Sequence, residues 1–248
     1  MIVENLQFGY DKKSTIINGV SFSFTEHQHL AIVGASGCGK STLLRLISGN
    51  ISPTGVNFLK GSISINGLNP IENIKIGQTS FMFQEPALFP NLTVVENIRF
   101  PLKLKNKIDD QWINEVIEKV GLTNYKNYLP SQLSGGMKTR VALARTFITK
   151  PKLLLLDEPF GALDVKWKSI LYKELEMLRE EMNSKIIIVT HDIQEALLLS
   201  NNILVMGKEG KIVEQLIIEK KLPRIFSNED VFELQNEYLK IKKLIIEN

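Results

Sequence analysis

Gly34-Ala35-Ser36-Gly37-Cys38-Gly39-Lys40-Ser41 decides the fold. The stretch satisfies G-x-x-x-x-G-K-[ST] at every fixed position. The apolar run Leu30–Val33 leads into it, and Leu43, Leu44, Leu46 and Ile47 follow at helical spacing. Strand, glycine loop and helix are the context that this motif requires. The glycines let the backbone bend tightly and turn its N–H groups inward, where they can cradle phosphate oxygens. The following helix points its positive end at the same spot. Lys40 would reach the outer phosphates and the Ser41 hydroxyl would ligate Mg²⁺, with Thr42 completing the phosphate-binding set. The plainer alternative is a glycine turn before a helix. With Gly at about 7% of average usage, such a match arises by chance on the order of once per hundred chains of this length.

The chain has 248 residues and is 44% hydrophobic, enough for one large core or a core with a subdomain. The net charge is only +3, without the concentrated basic surface of a nucleic-acid binder, so no nucleic-acid partner is expected. A single cysteine, Cys38, excludes an internal disulfide and suits a reducing, cytosolic setting. The opening MIVENLQFGY carries acid early and lacks a long apolar run, so it is not expected to be a signal peptide. No stretch has the apolar length of a membrane span, so any membrane role is expected to go through a partner.

Around the loop, residues 2–8 and Val20–Phe24 read as strands, with a polar turn at Asp11-Lys12-Lys13-Ser14 between them. The helix after the loop runs to about Ser48, and Gly49 and Pro53–Gly55 break the chain. Gly61–Gly67 alternates into an Asn-Gly turn, and this opening section is expected to form a mixed, mostly antiparallel sheet laid against the nucleotide strand. Ser80–Phe83 is a strand ending at Gln84, followed by Glu85-Pro86 and the bulky loop Leu88-Phe89-Pro90. Leu92–Val120 carries one helical pattern, stopped by Gly121, and about Glu85–Pro130 reads as a helical insertion. A further helix begins at Ser134-Gly135-Gly136. Leu153–Leu156 is a run buried on both faces, as in a central parallel strand, and ends in Asp157-Glu158. Helix from about Val165 to Met182, strand Ile186–Val189, helix Ile193–Ser200 and strands over 203–206 and 211–217 follow. An amphipathic tail runs from about Asn228 to Ile246.

Two constellations carry chemistry beyond the loop. Asp157 and Glu158 end a buried strand, and ligands of parallel α/β sheets bind at that end. Asp157 suits Mg²⁺ through a water, and Glu158 is placed to polarise an attacking water. A general base of this kind contributes roughly 10²–10⁴-fold. Leu133-Ser134-Gly135-Gly136-Met137 is a second anion site at a helix start, with Ser134 as candidate N-cap. One nucleotide cannot easily use both sites of one chain, whereas a dimer in which each chain supplies one of them can.

With these motifs the chain resembles the ATP-binding cassette (ABC) transporter ATPases. The phosphate loop 34–41, Gln84, the signature 133–137, Leu153–Glu158, Ala162-Leu163-Asp164 and His191 occur in the family's order, and the resemblance extends to about residue 224. It implies an α/β fold, a RecA-like P-loop NTPase core with an N-terminal antiparallel β subdomain and an inserted α-helical subdomain. The ATPase domain would span 1–224, the insertion about 85–150, and a C-terminal amphipathic helix 225–248. By the same resemblance Tyr10 is the aromatic that stacks on adenine, and Gln84 touches Mg²⁺ and links sheet to helices. Ser134, Gly135, Gly136 and Met137 meet the γ-phosphate held by the other subunit, although Met137 departs from the commoner glutamine. Asp164 lies at the dimer seam. His191 contacts the γ-phosphate and, with Glu158, holds the water.

The stretches Gln84–Pro90 and Leu92–Asn97, with Leu222-Pro223-Arg224, are similar to importer ATPases of the nitrate/sulfonate/taurine group. Polyamine and thiamine-precursor importers share parts of them. The expectation is an ATP-hydrolysing import subunit, peripheral at the cytoplasmic face of the inner membrane. Two copies would sandwich two MgATP and drive integral membrane permease subunits, and through them serve a solute-binding protein. The loop Glu85–Phe89 would receive the permease. A soluble ABC protein of repair or translation fits the length poorly, and a P-loop kinase or GTPase lacks the 133–137 signature.

Overall fold

The computed structural model describes residues 1–11, 14–24, 29–51, 58–220, 222, 224 and 233–248. The expected features at 12–13, Pro53–Gly55, Pro223 and the start of the tail at Asn228 lie outside them. The chain divides into two compact units, Met1–Thr79 with Lys185–Asn248, and Ser80–Ser184.

In the first unit, β1 (Ile2–Gly9), β2 (Ile17–Ser23), β3 (Leu30–Gly34), α1 (Lys40–Ser48), β4 (Phe58–Ser64) and α2 (Pro70–Lys75) follow in order. Strands β2, β1 and β4 form one sheet, antiparallel throughout. Val3 of β1 opposes Phe22 and Leu6 opposes Val20, all four buried, and a register shift between Val3 and Leu6, where Asn5 takes φ 42°, lets residues three apart face the same core. The expected mixed sheet is therefore corrected to a wholly antiparallel one, and β3, the nucleotide strand, stands outside it as expected. The reason is visible in the sequence run, because every residue of β3 is buried, and a strand apolar on both faces belongs inside a parallel sheet. β3 lies between β7 (Lys185–Val189) and β8 (Asn202–Met206), parallel to both, and β9 (Ile212–Ile217) adds an antiparallel edge on β8. α7 (Ile193–Leu199) joins β7 to β8, and α8 (Gln235–Glu247) buries Ile241 and reaches back to β9 through Lys240 Nζ and Glu214 at 2.8 Å.

The second unit opens on β5 (Thr79–Met82) and carries α3 (Val94–Leu104), α4 (Asp110–Lys119), α5 (Gly135–Phe147), β6 (Leu153–Asp157) and α6 (Val165–Met182). β5 and β6 are neighbouring strands. The single helix expected over 92–120 is two. Asn106 takes a left-handed φ of 51° and Asp109 caps a new start by accepting from the Trp112 N–H at 2.9 Å. The apolar faces of the two halves, Val94, Ile98 and Leu102 and then Trp112, Ile113, Val116 and Ile117, are buried, which is why the pattern runs on across the break. Gly121 ends α4 with φ 64°, as its position implies.

Candidate nucleotide site

Gly34 is the last residue of β3, and Lys40 opens α1. Between them Ser36 and Gly37 are exposed, while Cys38 points inward and is buried. Gly39 has φ 103°, and a Cβ there would lie 3.0 Å from the Ile16 carbonyl, so the approach to α1 needs glycine. The Lys40 side chain folds back over the loop: Nζ donates to the carbonyls of Gly34 at 3.0 Å and Ala35 at 2.8 Å. Lys40 is only 5% exposed, so its charge is held against the loop's own carbonyls and away from bulk water.

The start of α1 fits a phosphate. Gly39 offers no side-chain oxygen to its first turn. By contrast α2 to α7 each carry a side-chain N-cap, from Asn69, Thr93, Asp109, Ser134, Asp164 and Asp192. An uncapped helix start beside a buried lysine leaves N–H donors and positive charge for an anion. Ser41 and Thr42 sit half-buried in that first turn.

His191 stands beside this loop. β7 pairs with β3 through Ile32↔Val189, and the Thr190 N–H donates to the Ile32 carbonyl at 3.2 Å. One residue further on, the His191 side chain is exposed. Its loop is held from below by residues the sequence did not single out. Thr190 Oγ1 donates to Glu195 Oε2 at 2.6 Å and accepts the Asp192 N–H at 3.0 Å, with Glu195 only 3% exposed. The signal was there: Glu195 is the acid at the head of the buried run Ala196–Leu199. Tyr10 follows β1, is 44% exposed, and meets Phe8 edge-on at 4.8 Å.

The other expected residues lie in the second unit. Asp157 ends β6 with no exposed surface. Glu158 turns sharply away with φ 46°, a left-handed conformation that costs a non-glycine residue about 1–3 kcal/mol. Its Oε2 accepts from Gln84 Nε2 at 3.2 Å, so the two expected site residues after β5 and β6 meet. Ser134 is an N-cap: its Oγ accepts the Met137 N–H at 3.3 Å, and its own hydroxyl proton stays available to an acceptor. Gly135 is open on the side where a Cβ would stand. A Cβ at Gly136 would lie 3.3 Å from the Ala162 carbonyl and from the Leu163 side chain, next to Asp164. The Asp164 carboxylate accepts the Trp167 N–H at 3.0 Å, so it also starts α6.

The geometry is that of a nucleotide-binding cassette, and a family model described as "ABC transporter" matches residues 17–161. The chain belongs to the ABC transporter family. The aliphatic sulfonates import ATP-binding protein SsuB of Bacillus cereus is 42% identical over 84% of this chain and 80% of that protein. SsuB 2 of Pseudomonas syringae pv. tomato is 41% identical over 85% and 84%. The spermidine/putrescine import ATP-binding protein PotA of Fusobacterium nucleatum is 42% identical, and the chain spans about half of it, 52%. Among solved structures, the ATP-binding cassette MJ0796, a dimer in a post-hydrolysis state bound to ADP and Pi, superposes with a TM-score of 0.78 at 27% identity. It covers 89% of this chain and 99% of that one. The ABC fold expected from the motifs is thus shared with these cassettes. Among the described residues no helix is long and apolar enough to cross a membrane.

Proposed function

We propose that the chain is the ATP-hydrolysing subunit of an import system, and that two copies close around two MgATP to drive a membrane permease. The observation that carries the reading is a pair of helix starts suited to anions on one chain. One is uncapped α1 behind the 34–41 loop, and the other is α5 with Ser134 and open Gly135. Gly34 to Thr42 hold the phosphates, with Lys40 neutralising their charge, while Tyr10 stacks on the base. Such stacking is worth roughly 1–3 kcal/mol. Ser134, Gly135, Gly136 and Met137 receive the partner copy's γ-phosphate, and Asp164 lies at the seam between copies. Among the described residues no three His, Cys, Asp or Glu side chains are grouped to hold a metal. Mg²⁺ keeps its waters and rides on substrate phosphates with one or two protein ligands. Ser41, Gln84 and Asp157 would hold Mg²⁺, which would supply charge neutralisation at the phosphates. Glu158 takes the proton of the attacking water, oriented by Gln84, and His191 fixes the γ-phosphate end.

The permease would dock at the loop after Gln84. Phe81, Phe83, Phe89, Phe100 and Arg145 line an open groove of 320 Å³ there. Phe89 meets the Phe100 ring at 4.5 Å with the planes tilted by 49°, yet remains 42% exposed, the surface a partner helix would cover. The subunit would sit peripherally at the cytoplasmic face of the inner membrane. The solute read from the relatives is an aliphatic sulfonate or a similar anion, because the chain spans four fifths of those proteins. A polyamine is the second reading, favoured by the equal identity to PotA.

Glu158→Gln tests the ATPase reading. ATP binding should persist, hydrolysis should fall roughly 10²–10⁴-fold, and gel filtration should show an ATP-dependent dimer. Hydrolysis near the wild-type rate would remove Glu158 from the role. Uptake of labelled ethanesulfonate against labelled spermidine in a deletion strain separates the two solutes.

A further inference from the structure

α4 and α6 leave an open groove of 540 Å³ between them, within the second unit and apart from every residue assigned above. Its floor is apolar: Trp167, Ile170 and Met177 of α6, with Ile170 and Met177 36% and 40% exposed. Its walls are acidic: Glu115 and Glu118 from α4, Glu174 and Glu181 from α6. Lys119, bridged to Glu174 at 3.8 Å, is the one lining cation among the described residues, where four carboxylates face one ammonium in a chain whose net charge is +3.

The spacing identifies the shape of an occupant. Trp167, Ile170, Glu174, Met177 and Glu181 follow one another at intervals of three, four, three and four residues. That is a seam with coiled-coil spacing along one helix face, apolar at three positions and acidic at two, about 21 Å long at 1.5 Å per residue. A seam of this kind is filled by another helix, and glutamates in it call for basic side chains opposite. The floor is also preformed. The Arg140 guanidinium lies 3.7 Å over the Trp167 ring and donates to the carbonyls of Val120 at 2.9 Å and Gly121 at 3.2 Å. At Gly121 a Cβ would run into the Trp167 ring, so ring and turn are fitted together.

We propose that this groove docks a cationic amphipathic helix of a partner protein, its apolar stripe on Ile170 and Met177 and its Lys or Arg residues against the four glutamates. The occupant would press on Trp167, which rests on Arg140 of α5, the helix capped by Ser134. Docking here would therefore bear on the signature end of the cassette, and it is independent of how the nucleotide site is read.

The test uses the full chain and a fluorescent, lysine-flanked leucine peptide patterned at three-four spacing, read by anisotropy. Controls are the same composition scrambled, and an oligolysine of equal charge. Saturable binding of the patterned peptide alone is expected. Glu118→Lys with Glu181→Lys should weaken it roughly tenfold or more, and Ile170→Lys should do so independently. Hydrogen exchange should slow over 115–121 and 167–181. Circular dichroism establishes that the variants fold, and all the glutamates changed are on the surface. No saturable binding, equal binding of the scrambled peptide or oligolysine, or variants that bind like wild type would overturn the proposal.

Discussion

Replacing Asn97 by leucine would test whether one buried amide holds the loop that leads into α3. Asn97 has no exposed surface. Its Oδ1 accepts the Phe89 N–H at 2.9 Å, and its Nδ2 donates to the carbonyls of Phe89 at 3.1 Å, Leu92 at 2.8 Å and Thr93 at 3.1 Å. Two of those carbonyls keep another donor, because Leu92 N–H reaches Phe89 at 3.2 Å and Asn97 N–H reaches Thr93 at 2.8 Å. Leucine therefore leaves two groups to be satisfied, the Phe89 N–H and the Leu92 carbonyl. At about 1–3 kcal/mol for each, and with water able to reach a loop edge, the loss should be about 2–4 kcal/mol. For a chain of this size that lowers the melting temperature by roughly 5–15 °C. Asn97→Asp sharpens the test. It keeps the acceptor for Phe89 but turns a carboxylate oxygen toward three carbonyls, so it should melt lower still. Calorimetric melting of both variants, beside capture of the permease on the Phe89 surface, reads the effect. A leucine variant melting within about 2 °C of wild type, or an aspartate variant more stable than the leucine one, would refute the reasoning.

Three more outcomes are expected. Lys40→Ala should lose ATP affinity outright if, as proposed, Lys40 acts on phosphate charge and not on water; equal affinity by calorimetry would contradict this. Arg224→Met should destabilise the first unit, at about 1–3 kcal/mol for each buried carbonyl left without a donor, because the buried Arg224 guanidinium donates to the carbonyls of Ser200 at 2.6 Å and Ile218 at 3.3 Å and also reaches those of Leu197 and Lys220; an unchanged denaturation midpoint counts against the clamp. Glu96 is held below its ordinary value of 4.5 by the Thr93 N–H and hydroxyl. Its contribution is present above that value and lost as pH falls through the lower folded value, so Glu96→Gln should flatten the acid limb of stability against pH, whereas an identical limb would exclude it.

Where the chemistry was legible, it was carried by residue types at the ends of buried runs. Leu30–Val33, Leu153–Leu156 and Ile186–Val189 are strands because nothing polar interrupts them, and Lys40, Asp157 and His191 follow where each strand stops. α2 was missed because six residues are too few for a period. Its only mark is Asn69-Pro70-Ile71-Glu72, an N-cap, a proline and an acid at the third position, which close a capping box. The break at 105–109 was hidden by continuity of the apolar face, since Leu102 and Trp112 both turn inward. Only Asn106 and Asp109 mark it, and each alone also suits a helix surface.

Supporting contacts were illegible for a different reason. Gln84 meets Glu158 across 74 residues of chain, and Arg140 reaches Val120 across 20. Such pairs are chosen by the packing of separate elements, which no local period encodes. The α6 face joins both cases. Its three-four spacing marks a helix from sequence, but spacing alone assigns Trp167, Ile170 and Met177 to a core. The exposure of Ile170 and Met177, and the glutamates of α4 opposite, turn the same stripe from a core face into a surface awaiting a helix. In this chain, an acid that falls within an apolar helical stripe marks a place where sequence patterning and packing part company. Glu195 resolves the conflict inward, through Thr190, while Glu174 and Glu181 resolve it outward, toward the groove.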